Sequence, residues 1–327
     1  MGGRRHGAVQ ERRVPVEFGG DPVVWSAWLY YEEGLTQNDI AQRLGISRAS
    51  VNNLLQTARD TGVVTIAVAP RHLQTVELSQ AVTARYGIAE CLVVPGVDGR
   101  RTLHERIGHA GARLLAGQLR PDDVLGVAWG RTVSALAEAM PQVDRPGMSV
   151  VQVMGSAVGS ERFTAELCTS TLAGRVRGRC IYLHAPGIVS RPEVKAVLMA
   201  EPALIEQFRI IAACNRIVFG VGSMQSISIA SDGGYLLTAR EANPAIARGA
   251  VASLAGRFID AKGRLVPCSF DDRLIGITPD AIRAVPDRLC VAAGPDKVLP
   301  IRAVLAGGYI TSLVTDEATA QALLSQP

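Results

Sequence analysis

From about residue 88 to the C-terminus, short apolar runs alternate with stretches of helical spacing, and this rhythm constrains the fold more than any other feature of the chain. The runs read ECLVV, DVLGVAW, MSVVQVM, CIYLH, RIVFGVG, RLIGI, RLCVAAG and YITSLV. Helical patterns separate them at 102–119, 131–140, 161–177, 193–212, 244–254, 296–306 and 316–324. A strand that is apolar along its length must be covered on both faces. The alternation therefore predicts a mainly parallel sheet layered with helices. Composition agrees: 48% of the 327 residues are hydrophobic but only 5% aromatic, so the core is aliphatic.

The N-terminal part has a different texture. Residues 22–33 read as a helix with Trp25, Trp28 and Leu29 on one side, and these aromatics are assigned to the core of a three-helix unit. In Gly34–Gly62, Thr36 is an N-cap and Asp39 follows three residues later, close to a capping box. Leu35, Ile40, Ala41 and Leu44 can line one face, Gly45 supplies a turn, and Ser47 caps a second helix. Val51, Leu54, Leu55 and Ala58 then form one buried stripe, and Gly62 ends the helix. The outer face carries Arg48, Ser50, Asn52, Asn53 and Gln56, polar and mostly uncharged, where a merely solvated face would carry Glu–Lys pairs. Amide side chains match an adenine edge, and arginine matches guanine or phosphate. The segment therefore reads as a DNA-reading helix-turn-helix, with Thr36, Gln37, Ser47, Arg48, Ser50, Asn52, Asn53 and Gln56 as candidate contacts. The competing reading is a packed helical hairpin with a polar outer side. VVTIAV, residues 63–68, could add a strand or wing, and 71–87 is expected to be a linking helix.

Ligands of open α/β sheets gather at the carboxyl ends of the strands. Four such ends are rich in Gly and small polar residues: 126–136, 152–159, 219–224 and 292–297. The first runs a strand into Gly130-Arg131-Thr132 and then a helix, which brings amides, a guanidinium and a hydroxyl to a helix N-terminus. Each turn alone is ordinary turn chemistry. Together with Arg131 and Lys297 they point to a pocket for a small anion. Candidate contacts are Trp129, Gly130, Arg131, Thr132, Gly155, Ser156, Gly222, Ser223, Ser253 and Lys297.

No G-x-S-x-G elbow, Walker loop or G-x-G-x-x-G fingerprint is present, and no catalytic residue or cofactor is assigned. Asp232, Glu241, Asp260, Asp271 and Asp272 read as solvated loop acids. Cysteines 91, 168, 180, 214, 268 and 290 form no CxxC pair and have no histidine partner at metal-ligand spacing. Buried, reduced thiols fit a cytoplasmic protein, and no run approaches a membrane span. The net charge of +4 is mild, and over residues 1–70 seven arginines face seven acids. Positive surface must come from placement: Arg48, Arg59, and the tail arginines 4, 5, 12 and 13, which either reach phosphates or belong to a solvated terminus.

Four segments, in this order and spacing, resemble the SorC-type sugar-binding transcriptional regulators: TQNDIAQRLGISRASVNNLLQTARDTGVV, GVAWGRT, GAVASLAGRFIDAKGR and DKVLPIRAVLAGGYITSLVTDEATAQALL. The resemblance spans about residues 22–325. It implies a winged helix-turn-helix joined to an effector domain similar to sugar-phosphate isomerases and glucosamine-6-phosphate deaminase, retained for binding and not for turnover. It also implies self-association to a dimer or tetramer, operator DNA as one partner and a phosphorylated sugar or derivative as the other. On this reading residues 1–21 are a flexible tail, 22–70 the DNA-binding domain, 71–87 a linker helix and 88–327 the effector domain. The alternative is an isomerase- or deaminase-like enzyme with an accessory helical domain. The chain departs from the family pattern in three places. The family usually has Ser-Arg at Asn52-Asn53, Gly-Asp at Ala252-Ser253 and Gly-Gly at Ala293-Gly294. The first departure implies a different operator, and the second removes a hydroxyl-binding carboxylate.

Overall fold

The structure is a computed structural model and describes residues 20–65, 70–96, 101–156, 163–224 and 239–325. The basic tail, the second half of the expected wing (66–68), Asp232 and the side chain of Glu241 lie outside the described residues. The chain divides into two compact units, Met1–Ala69 and Pro70–Pro327.

Three helices make the first unit: α1 (Pro22–Tyr31), α2 (Gln37–Leu44) and α3 (Arg48–Asp60). Local chemistry sets each start. The Asp21 carboxylate accepts the Val23 N–H at 2.7 Å. Thr36 and Asp39 complete a reciprocal capping box at α2, and Ser47 Oγ accepts the Ser50 N–H at α3. The tight turn between α2 and α3 passes through Gly45 at φ 69°. Trp25, Leu29, Ile40, Val51 and Leu55 are buried together, with Leu35, Ala41 and Leu44 packed around them. Trp28 departs from the expectation. It is 37% exposed and lies flat on Trp25, with ring centroids 5.5 Å apart. Trp25 and Leu29 share the inward row four residues apart, which leaves Trp28 at its margin.

The second unit opens with α4 (Pro70–Tyr86) and contains a seven-stranded sheet, all of whose pairs are parallel. Its strands are β1 (Glu90–Val94), β2 (Val124–Val127), β3 (Ser149–Gln152), β4 (Arg179–Ile181), β5 (Arg216–Phe219), β9 (Asp287–Val291) and β10 (Ser312–Asp316), in the order β1-β10-β9-β5-β2-β3-β4. The intervening helices are α5 (Leu103–Gln118), α6 (Arg131–Ala139), α7 (Ala165–Val176), α8 (Pro192–Met199), α9 (Pro202–Ala212), α10 (Ala239–Ala247), α11 (Pro279–Ala284), α12 (Val298–Ala306) and α13 (Glu317–Ser325).

The period of two along each strand divides the core. Leu125, Val127, Val150, Val218, Leu289, Val291 and Val314 pack with α5, α6 and α7 on one face. Val151, Ile217, Phe219, Cys290 and Leu313 pack with α9, α12 and α13 on the other. At the amino ends of the strands, Arg216 bridges Asp123 (2.7 Å) and Asp287 (3.0 Å). The second unit also includes α4: Val82 is buried in its core, and the Tyr86 hydroxyl donates to Leu323 O at 2.9 Å.

Three expectations fail locally. The helix expected over 244–254 ends at Ala247. Gly249, at φ 91°, turns the chain into β7 (Ala250–Leu254), whose burial alternates. With β6 (Gly222–Ser223) and β8 (Arg257–Asp260), β7 forms a separate antiparallel sheet. The run RLIGI joins no strand of the main sheet and makes isolated antiparallel bridges, Gly276 to Met154 and Leu274 to Ile188. The single helix expected over 193–212 is two, broken before Pro202.

Four of the six cysteines are buried. Cys180 is exposed, Cys268 is half-buried, and all six are free thiols. Among the described residues no cluster of His, Cys, Asp and Glu could hold a metal, and no helix is long and apolar enough to cross a membrane.

Candidate functional site: a cation-lined cavity and an exposed helix face

A cavity of about 310 Å³ opens at the carboxyl ends of β2, β5 and β9. From β2 come Ala128–Val133, from β5 Gly220–Gly222, and from β9 Val291–Ala293 with Asp296 and Lys297. Met154, Phe163, Ser253, Ala255 and Gly256 line it further, and His104 enters from α5.

Two of these turns have the same backbone form. Gly130 (φ 136°, ψ 164°) leads into α6, and Gly294 (φ 117°, ψ 159°) leads into the 3-10 turn Pro295–Lys297 ahead of α12. Only glycine is at ease at such positive φ values. Their chemistry differs. No side chain caps α6, so its first amides remain available to an anion. The second turn begins with a proline, which has no N–H, and carries its own carboxylate, Asp296. The Gly294 N–H is held from behind by Thr319 Oγ1 at 2.9 Å.

The charge of the cavity comes from Arg131, Lys297 and His104 against Asp296. Lys297 Nζ lies 3.5 Å from Asp296 Oδ2. Burial lowers the Lys297 pKa and Arg131 adds to this, while Asp296 opposes both. His104 Nδ1 lies 3.0 Å from Thr132 Oγ1. Burial, then Arg131 and Lys297, hold its pKa below the ordinary imidazole value, with Asp296 opposing. Nothing local in the sequence marks His104 or Asp296. His104 is an unremarkable second residue of a helix, and only the fold brings it to Thr132.

Of the residues expected to contact an anion, Trp129, Gly130, Arg131, Thr132, Gly222, Ser253 and Lys297 line the cavity. Gly155, Ser156 and Ser223 do not. A Cβ on Gly155 would lie 2.6 Å from Pro186 O, so this glycine permits close backbone packing. Ser156 bonds through its backbone to Ala185 and Gly187. Ser223 is buried in β6 opposite Ala252. The family departures at Ser253 and Ala293 both fall on the cavity wall.

In the first unit, Ser47, Arg48, Ser50, Asn52, Asn53 and Gln56 are exposed along α3. Arg48 Nε donates to Gln37 Oε1 at 3.3 Å. The Gln56 amide donates to Asp60 and accepts from Arg59. Thr36 is occupied with its capping box.

Residues 71–325 match the family described as "Putative sugar-binding domain", and 27–73 match the MarR family. The chain belongs to the SorC-type family of sugar-binding transcriptional regulators. Its two units carry the two parts of such a regulator, a helix-turn-helix and a sugar-binding domain. SorC-type relatives align along nearly the whole chain. The Escherichia coli K12 transcriptional regulator YjhU is 31% identical over 314 residues, covering 94% of this chain and 95% of that protein. The sorbitol operon regulator of Klebsiella pneumoniae is 29% identical over 313 residues, covering 92% and 97%. The crystal structure of full-length SorC from the same organism superposes with a TM-score of 0.72 at 28% identity, over 93% of this chain and 98% of that one.

Proposed function

We propose that this SorC-type regulator reads paired operator half-sites with the outer face of α3 and senses an anionic, sugar-derived effector, a sugar phosphate or close derivative, in the cavity at Arg131 and Lys297. It does so as a dimer or tetramer and without turning the effector over. The observation that carries this reading is the pairing, on one chain, of a polar exposed recognition-type helix with a cavity whose cations surround an uncapped helix start. The names of the aligned regulators support binding over catalysis. The effector shifts operator affinity by binding one arrangement of the oligomer more tightly than another. Gel-shift titration on DNA upstream of the protein's own gene, with and without sugar phosphates, tests it. Turnover of those compounds with no DNA retardation would replace it with the enzyme reading.

Two variants refine the assignment. Asn52→Ala is expected to relax base preference at one operator position and to cost about 1–3 kcal/mol if the contact is bidentate. Footprinting on base-substituted operators reads this, and unchanged specificity in both Asn52→Ala and Asn53→Ala removes α3's outer face from base reading. Ser253→Asp restores the carboxylate usual in the family to the cavity wall. It is expected to strengthen binding of hydroxyl-rich sugar phosphates by about 1.5–3 kcal/mol, the worth of a charged hydrogen bond. A thermal-shift panel identical to the parent's would make the serine irrelevant to effector choice.

A further inference from the structure

His104 stands in the first turn of α5 and lines the same cavity as Arg131, Thr132, Asp296 and Lys297. Its Nδ1 is 3.0 Å from Thr132 Oγ1, so the ring is tied to the first turn of α6, where the uncapped amides are. It is half-buried, shielded from bulk water but open to whatever occupies the cavity.

We propose that His104 is the proton-linked member of this site: an oxyanion entering between Arg131, Thr132 and Lys297 brings a proton onto the His104 ring, which makes the histidine a determinant of selectivity for doubly ionised ligands. The inference rests on the reading of the cavity as the effector site. The charged groups facing the ring from packed elements are Arg131 of α6 and Asp296 and Lys297 of the turn after β9. On its own helix, the Glu105 carboxylate is engaged by the Thr102 N–H (2.7 Å) and hydroxyl (2.9 Å).

Burial and the two cations disfavour imidazolium, with Asp296 opposing them. A dianion among the same groups reverses the local field, because an opposite charge within about 4–6 Å favours the protonated ring. The sign follows from linkage. With the bound-state pKa above the free-state pKa, binding takes up a proton between the two values, and affinity falls as pH rises through that window. One proton gives a slope of up to about tenfold per pH unit. Below the window the ring is already charged, above it the ring stays neutral, and affinity is flat in both regions.

Sulfate is the appropriate probe because it remains a dianion throughout the working range, whereas a phosphate ester titrates. Sulfate affinity of the full-length chain is read from the concentration dependence of its thermal midpoint between about pH 5.5 and 8.5, at ionic strength fixed with chloride. The unaltered protein is expected to bind more tightly toward low pH, with the slope given above. His104→Gln, which keeps an amide to pair with Thr132, is expected to bind sulfate with a flat profile. In the unaltered protein, the ring resonances of His104 are expected to titrate at higher pH when sulfate is added, a readout that does not depend on the variant's folding. A flat profile in the unaltered protein, or a slope that survives in His104→Gln and so belongs to another group such as Lys297, overturns the assignment to His104. Sulfate that does not bind at any pH, or binds Arg131→Ala equally well, overturns the cavity reading itself and the inference with it.

Discussion

Asp123→Ala is expected to lower the unfolding free energy by about 3–5 kcal/mol, the usual cost of removing one partner from a buried ion pair. Asp123 is 2% exposed, and its carboxylate accepts the Arg120 N–H at 2.8 Å, the Asn215 amide at 2.7 Å and Arg216 Nε at 2.7 Å. Removing it leaves the buried Arg216 with Asp287, whose side chain is 55% exposed, as its remaining ionic partner. The loss should be visible as a lower denaturant midpoint with an unchanged slope. Effector binding should persist in the folded fraction, because this cluster sits at the amino ends of the strands and the cavity at their carboxyl ends. A change within 1 kcal/mol of the parent would mean that the cluster relaxes or admits water. The same group gives a pH dependence. Burial by itself would raise the Asp123 pKa, but the bonds from Arg120, Asn215 and Arg216 outweigh it and hold the carboxyl below the ordinary aspartate range. A depressed folded-state pKa stabilises the protein above the unfolded value and loses that stabilisation as pH falls through the folded one. The Asp123 contribution should therefore be complete at neutral pH and vanish only below about pH 4, and Asp123→Ala should narrow the difference from the parent there.

The second large effect is expected at Arg131. On the proposed reading, its guanidinium and the first amides of α6 hold the anionic group. Arg131→Ala should weaken effector binding by about 1.5–3 kcal/mol, roughly ten- to a hundredfold. Lys297→Ala should act in the same direction. Lys297 is more buried than Arg131 and is paired with Asp296. Operator binding without effector should survive in both variants, because the helix-turn-helix has a core of its own. Calorimetry of the effector and gel shifts of the operator, run on the same preparations, separate the two activities. Parental effector affinity in both variants would place the ligand elsewhere.

What the sequence revealed and what it hid divide along the range of the interactions. Thr36, Ser47 and Gly45 act on neighbours within four residues, so the helix starts and the turn of the first unit could be read directly. The strand period of Leu125 and Val127 is local too, and the parallel sheet followed from repeating it. The antiparallel sheet was hidden because β6 is two residues long and its partner β7 lies beyond a distant helix. His104 meets Thr132, and Asp123 meets Arg216, only through the order of the strands. Gly155 misled for another reason: a glycine after a strand looks alike whether it admits a ligand or, as here, a second backbone.

The sheet order has a consequence for how the protein is made. β1 is at the sheet edge with β10 as its neighbour, pairing Glu90 with Ser312, and α4 donates hydrogen bonds to the last turn of α13. During synthesis β1 must wait until β10 has been made, with five of the sheet's strands formed in between, before Glu90 finds Ser312. The DNA-binding unit, whose core closes within its own first helices, is under no such delay. A chain that stops before β10 would therefore have a finished helix-turn-helix and a sheet whose first strand has no neighbour.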